Sequence, residues 1–170
     1  RPEFSNANVG THGTDYFFPS RDAMVYFANR GLSLVRVPIS WERLQPRLGQ
    51  ELDPGYLARI LECLDHASQL GCSVVLDMHN YGRYRLQRGE AIQELIVSNH
   101  RGRGTELDSS SLVDLWLRLS GEVRNHPAIT AYGLMNEPHD MVGADWAATA
   151  KEVVSALRGG GDDNWIWVAG

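Results

Sequence analysis

Val74, Val75 and Leu76 stand together with no polar residue between them. The run is too short for a helix and too uniformly apolar for a strand with one wet face. Strands of that kind are covered on both sides, which calls for a parallel sheet flanked by helices. The chain repeats the pattern. Leu32 to Ile39, Cys72 to Met78, Ile129 to Met135 and Trp165 to Ala169 read as such strands, with Phe4 to Val9 as a short first one. Helical stripes lie between them. Ser20 caps one built on Ala23, Met24, Phe27 and Ala28 and closed by Gly31. Asp53 and Pro54 open a second on Leu57, Ile60, Leu61, Leu64 and Ala67, which Gly71 stops. Ser111 opens a third through Leu112, Leu115, Trp116, Leu119 and Val123. Gly143 or Asp145 starts a fourth through Trp146, Ala150, Val153, Val154 and Leu157.

Strand and helix thus alternate, and residues 1–170 read as one α/β domain. A closed eight-stranded barrel typically takes about 250 residues, and this chain supplies about five strands. It is either an open doubly wound sheet or the first part of a (β/α)8 TIM barrel. The unprotected apolar strand at Trp165 to Ala169 favours a truncated barrel or a covering partner. Two segments escape the rhythm. Trp41 to Gly49 reads as a loop or helical turn. Tyr81 to Asp108 is longer than connections usually run; Ile92 to Val97 reads there as a small helix. Its arginines, at 83, 85, 88, 101 and 103, either face solvent or form one wall of a cleft.

Polar groups gather where these strands end. Arg36 lies within the second, His79 and Asn80 follow the third, and Asn136 and Glu137 close the fourth. Pro138 cannot donate to a ladder, so that strand stops at or before Glu137. The carboxyl ends of parallel strands are where α/β sheets place ligands. A glutamate there among apolar neighbours tends to hold its proton, and an arginine in a buried strand requires a carboxylate partner. Each residue also has an ordinary structural use: a salt bridge for Arg36, a satisfied core position for His79, a polar strand end for Glu137.

Other chemistries find little support. A formal net charge of -5 gives no general attraction to nucleic acid or anionic membrane. No apolar run approaches the roughly 20 residues that span a bilayer. No metal-ligand spacing or phosphate-cradling glycine motif is present, so neither metal nor cofactor is expected. Cys63 and Cys72 are too few for a disulfide framework and read as free thiols, a mutual disulfide being the alternative.

The segments LVRVPISWERLQP (34–46), LDMHNYGRY (76–84), ITAYGLMNEPHD (129–140) and WAATAKEVVSALR (146–158) resemble the amino-terminal part of glycoside hydrolase family 5, closest to its fungal-type endo-β-1,4-glucanases. The resemblance implies a TIM barrel, secretion, and a β-glucan oligo- or polysaccharide as substrate. It casts Glu137 as general acid/base, Asn136 as the contact to the sugar 2-hydroxyl, and Arg36 as the residue steadying the nucleophile. It makes His79 a sugar contact, with Asn80 and Tyr81 shaping the same region. Two departures stand out. The family's nucleophile belongs to a later strand, and Glu42, Glu90, Glu94 and Glu106 do not correspond to it. The 170 residues alone are therefore expected to be inactive, completed by the missing carboxyl-terminal half of the barrel. Where many relatives carry a glutamate after the first strand, this chain has His12 to Asp15, of which His12 and Asp15 reach the cleft or remain surface groups. β-Mannanase, a glycolipid-cleaving enzyme of the same family, and an inactive carbohydrate-binding fragment are the alternatives.

Overall fold

The computed structural model describes residues 4–98, 106–141 and 146–170. Its elements run α1 (Arg21–Ala28), β1 (Leu34–Ile39), α2 (Trp41–Leu44), α3 (Pro54–Gln69), β2 (Ser73–Met78), β3 (Arg83–Arg88), β4 (Ala91–Ser98), β5 (Glu106–Asp108), α4 (Ser109–Val123), β6 (Ile129–Gly133), α5 (Trp146–Gly159) and β7 (Trp165–Trp167). β1, β2, β6 and β7 form one sheet in that order, every neighbour parallel. β3, β4 and β5 form a second, three-stranded sheet.

Helix starts follow from local chemistry. The side chains of Ser20 and Asp53 accept from the backbone N–H groups of Ala23 and Tyr56, satisfying donors that the first helical turn leaves orphaned. One face of the parallel sheet meets the helices. Val37, Ile39, Val74, Leu76, Met78 and Tyr132 pack there with Ile60 and Leu64 of α3, Trp116 and Leu119 of α4, and Val153 and Leu157 of α5. Cys63 and Cys72 are buried and free, and burial pushes the Cys63 thiol up to about 11.

The opposite face is arranged in rows. Arg36, Val75, Ala131 and Trp165 align in register across it, and so do Pro38, Asp77, Gly133 and Trp167. Trp165 is 74% exposed and Trp167 47%. Small residues on β6 thus lie opposite indoles on β7.

The structure corrects several expectations. Phe4 to Val9 is not a strand; the Asn6 N–H donates to the Arg85 carbonyl, and the Gln87 N–H to Asn6 Oδ1, so the segment is held by β3 instead of the parallel sheet. Ile92 to Val97 is extended, not helical, because β4 pairs antiparallel with β3 across a turn at Gly89, whose φ of 59° suits glycine. Asp108 caps α4, ahead of the expected Ser111. The fourth strand ends at Gly133, and the fifth at Trp167, short of Ala169. Gly143 and Asp145, expected to start the last helix, and Arg101 and Arg103 lie outside the described residues.

Candidate functional site

The parallel ladder extends just past the strand ends. The His79 N–H donates to the Ile39 carbonyl, and the Asn136 N–H to that of Met78. These two bonds set His79 and Asn136 beside each other on the carboxyl rim, next to β1. Arg36 Nη2 reaches Asn136 Oδ1 at 2.5 Å and Asp77 Oδ2 at 2.8 Å. His79 Nδ1 lies 3.0 Å from the same Asp77 oxygen, and His79 Nε2 lies 3.4 Å from Asn136 Nδ2. Arg36, Asp77, His79 and Asn136 therefore close a ring of four side chains.

Arg36 was expected to be buried with a carboxylate partner. The partner exists, as Asp77, but the arginine side chain is 46% exposed because its face of the sheet is uncovered. Asp77 is the residue that sequence reasoning missed. Its side chain is 5% exposed, and its carboxylate serves two basic groups at once. The available signal was its i, i+2 relation to His79, which puts both side chains on one face of β2.

Glu137 follows directly, in the left-handed region at φ 40°. A non-glycine residue held there is strained by about 1–2 kcal/mol, and such strain concentrates at working sites. Its side chain is exposed and has no hydrogen-bond or ion-pair partner among the described residues, which do not supply the apolar enclosure expected around it. Arg36, Asp77, Asn136, Glu137 and Trp167 line one groove of ≈ 490 Å³.

Tyr81, in the left-handed region at φ 55°, sets its ring edge-on to His79 at 5.2 Å and to His139 at 6.0 Å. Arg83 fixes this edge by donating to the carbonyls of Tyr81 and His139. Asp140 accepts from His139, which holds its carboxyl below the usual carboxylate range. Asn80 is engaged internally. Its Oδ1 accepts from the Trp41 N–H, and its Nδ2 donates to Glu42 and to the Arg83 carbonyl, so it shapes the site's floor with no free amide group. Glu42, a loop glutamate by sequence, is buried and also accepts from the Arg85 N–H and the Ser40 hydroxyl. A recess of ≈ 220 Å³ beyond His79 is walled partly by Arg83 and Arg85, both paired with Glu94. His12 packs against Tyr16 and Phe18, with ring centroids 5.5 and 6.2 Å away, and lines neither of these cavities.

No cluster of three metal-binding side chains occurs among the described residues. Among the described residues the rim offers one unpaired carboxyl group beside a fixed amide, a guanidinium and an imidazole. That combination suits a ligand rich in hydroxyl groups, with one proton to be moved.

Comparison with known proteins gives a consistent answer. Endoglucanase EG-II of Hypocrea jecorina is 31% identical over 140 residues, 81% of this chain and 30% of that protein. Endo-beta-1,4-glucanase B of Aspergillus niger is 26% identical over 169 residues, 99% of this chain and 46% of that protein. The crystal structure of Pseudomonas stutzeri endoglucanase Cel5A in complex with cellobiose superposes with a TM-score of 0.82 at 34% identity, covering 95% of this chain and 45% of that one. Identity thus does not favour fungal relatives over bacterial ones, and the chain spans less than half the length of each of these three proteins. The profile of the cellulase family, glycosyl hydrolase family 5, matches residues 2–170. The chain belongs to that family.

Proposed function

We propose that these residues are the amino-terminal portion of a single (β/α)8 catalytic domain, contributing its parallel strands β1, β2, β6 and β7, and that the complete protein is a secreted, retaining endo-β-1,4-glucanase. Glu137 is its general acid/base. The observation that carries this reading is the ring of Arg36, Asp77, His79 and Asn136 fixed beside an unpaired glutamate at the carboxyl rim of a parallel sheet. Three relatives named as endoglucanases support the substrate class, one of them described in complex with cellobiose.

Glu137 in its acid form protonates the leaving glycosidic oxygen. As carboxylate it then takes a proton from the water that releases the sugar. Asn136 holds the sugar 2-hydroxyl, a contact that accelerates the reaction to the extent that it tightens in the transition state. Arg36 keeps one side of its guanidinium for the nucleophilic carboxylate, which such a mechanism places about 5–5.5 Å from the acid. Tyr81 and His79 form the sugar-facing edge, and Asn80 supports it from below. Secretion follows from a substrate too large to enter a cell.

One observation favours a lesser activity for these 170 residues alone. The other carboxylate in the groove, Asp77, is already held by Arg36 and His79. Among the described residues the groove thus offers no second displacing carboxylate, and the isolated chain should bind β-glucan at most. The test is hydrolysis by the complete protein of β-1,4-glucan, mixed-linkage β-glucan and β-mannan. Internal cleavage of the glucans is expected. Cleavage of mannan alone would reassign the substrate, and cleavage of none would overturn the proposal.

A further inference from the structure

The bonding inventory of the ring beside Glu137 fixes which atom donates and which accepts at each contact. A guanidinium donates and never accepts, so the Asn136 atom facing Arg36 at 2.5 Å must be the oxygen. The amide nitrogen then faces His79 Nε2 at 3.4 Å. An amide NH2 also only donates, so Nε2 must offer a lone pair and carry no proton. The proton of a neutral imidazole is left on Nδ1, which points at Asp77 Oδ2, an acceptor 3.0 Å away. Asp77 Oδ2 also accepts from Arg36 at 2.8 Å, so Arg36 donates along both arms of the ring and Asp77 accepts at the end of both.

A separate residue guards the anchor. A Cβ placed on Gly133 would fall 2.5 Å from Asp77 Oδ1, closer than real Cβ atoms approach. Gly133 faces Asp77 in register on the next strand, so the carboxylate occupies space that any other residue at 133 would take.

We propose that Asp77, seated against Gly133, is a positioning residue that fixes His79 as its Nδ1–H tautomer and locks the Asn136 amide with its oxygen toward Arg36. The second N–H of that amide is then left to donate into the groove in one direction. This inference rests on the reading of the groove as a glucan-cleaving site, but its structural half can be measured without turnover.

In the complete protein, ¹⁵N-labelled at histidine and held at a pH where the imidazole is neutral, NMR should find His79 protonated at Nδ1 and bare at Nε2. Asp77→Asn removes the charge that Arg36 and His79 share. Gly133→Ala displaces the same carboxylate and alters no charge. Each should raise the population of the Nε2–H tautomer and lower kcat on β-1,4-glucan about a hundredfold, the scale expected when a reacting group is misplaced by about 1 Å. KM should change little. A wild-type His79 protonated at Nε2 overturns the proposal whatever the variants do. So does wild-type kcat with an unchanged tautomer in either folded variant. If Asp77→Asn does not fold, the wild-type spectrum and Gly133→Ala still decide. Unimpaired hydrolysis by Glu137→Gln would instead remove the functional reading and leave the tautomer result standing.

Discussion

Glu137→Gln in the complete protein should lower kcat on β-1,4-glucan by about 10²- to 10⁴-fold, the range of general acid–base catalysis. That corresponds to about 3–5 kcal/mol of lost transition-state stabilisation. Glucan binding should persist, because the amide keeps the size of the carboxyl group and gives up only the transferable proton. Folding should be nearly unaffected. The Glu137 side chain is exposed and unpaired among the described residues, and such surface changes usually fall within about 0.5 kcal/mol. Asp140 supplies the control. It lies three residues on, exposed and bonded to His139, so Asp140→Asn should leave kcat close to wild type. Steady-state kinetics with a binding isotherm for each variant checks both statements.

The largest expected stability effect lies at the other end of the sheet. Asp162→Ala should destabilise the fold by about 3–5 kcal/mol, as the loss of a buried charged partner does. Asp162 is 1% exposed. Its Oδ2 accepts from the Ser120 hydroxyl at 2.6 Å and the Tyr132 hydroxyl at 2.8 Å, while Oδ1 accepts from the backbone and side-chain N–H groups of Asn164. One carboxylate so ties α4, β6 and the approach to β7. Alanine would leave those donors unmatched in the interior. Asp162→Asn should be milder, because hydroxyl groups can turn to accept from an amide. Burial pushes this carboxyl up, but the bonds from Ser120, Asn164 and Tyr132 outweigh it and leave the folded value below the ordinary 3.8. A carboxylate lowered on folding stabilises fully above its unfolded value and loses that contribution as pH falls through the folded one. Urea unfolding should therefore show wild type losing stability below about pH 4 more steeply than Asp162→Asn.

The sequence carried the parallel sheet well, and the reason is local. Val74, Val75 and Leu76, or Ile129 and Ala131, are apolar without interruption, and every one of them is buried in the fold. Features that depend on a partner were hidden. Arg83 to Arg88 looks like solvated loop, and it becomes a strand only by pairing with Ala91 to Ile96. Once that pairing is known, the burial of Leu95 and Val97 on either side of half-buried Ile96, with Glu94 exposed, reads as the two-residue period of a strand. Phe4 to Val9 has strand composition and no sheet edge that it occupies. At the site, Arg36, His79, Asn136 and Glu137 were legible as polar residues ending apolar runs. Asp77 was not, because its meaning comes from Arg36 and Asn136, far away in the chain but adjacent across the sheet.

The proposed function requires Glu137 to serve as the acid/base of a double displacement. The direct measurement is Glu137→Ala in the complete protein, acting on an aryl β-cellobioside with and without azide. The aryloxide leaves without a proton donor, so a glycosyl-enzyme should form and accumulate. Azide needs no base to attack it, so added azide should restore turnover and yield the β-glycosyl azide. Undiminished turnover without azide, absence of rescue, or an α-configured product would contradict the role assigned to Glu137.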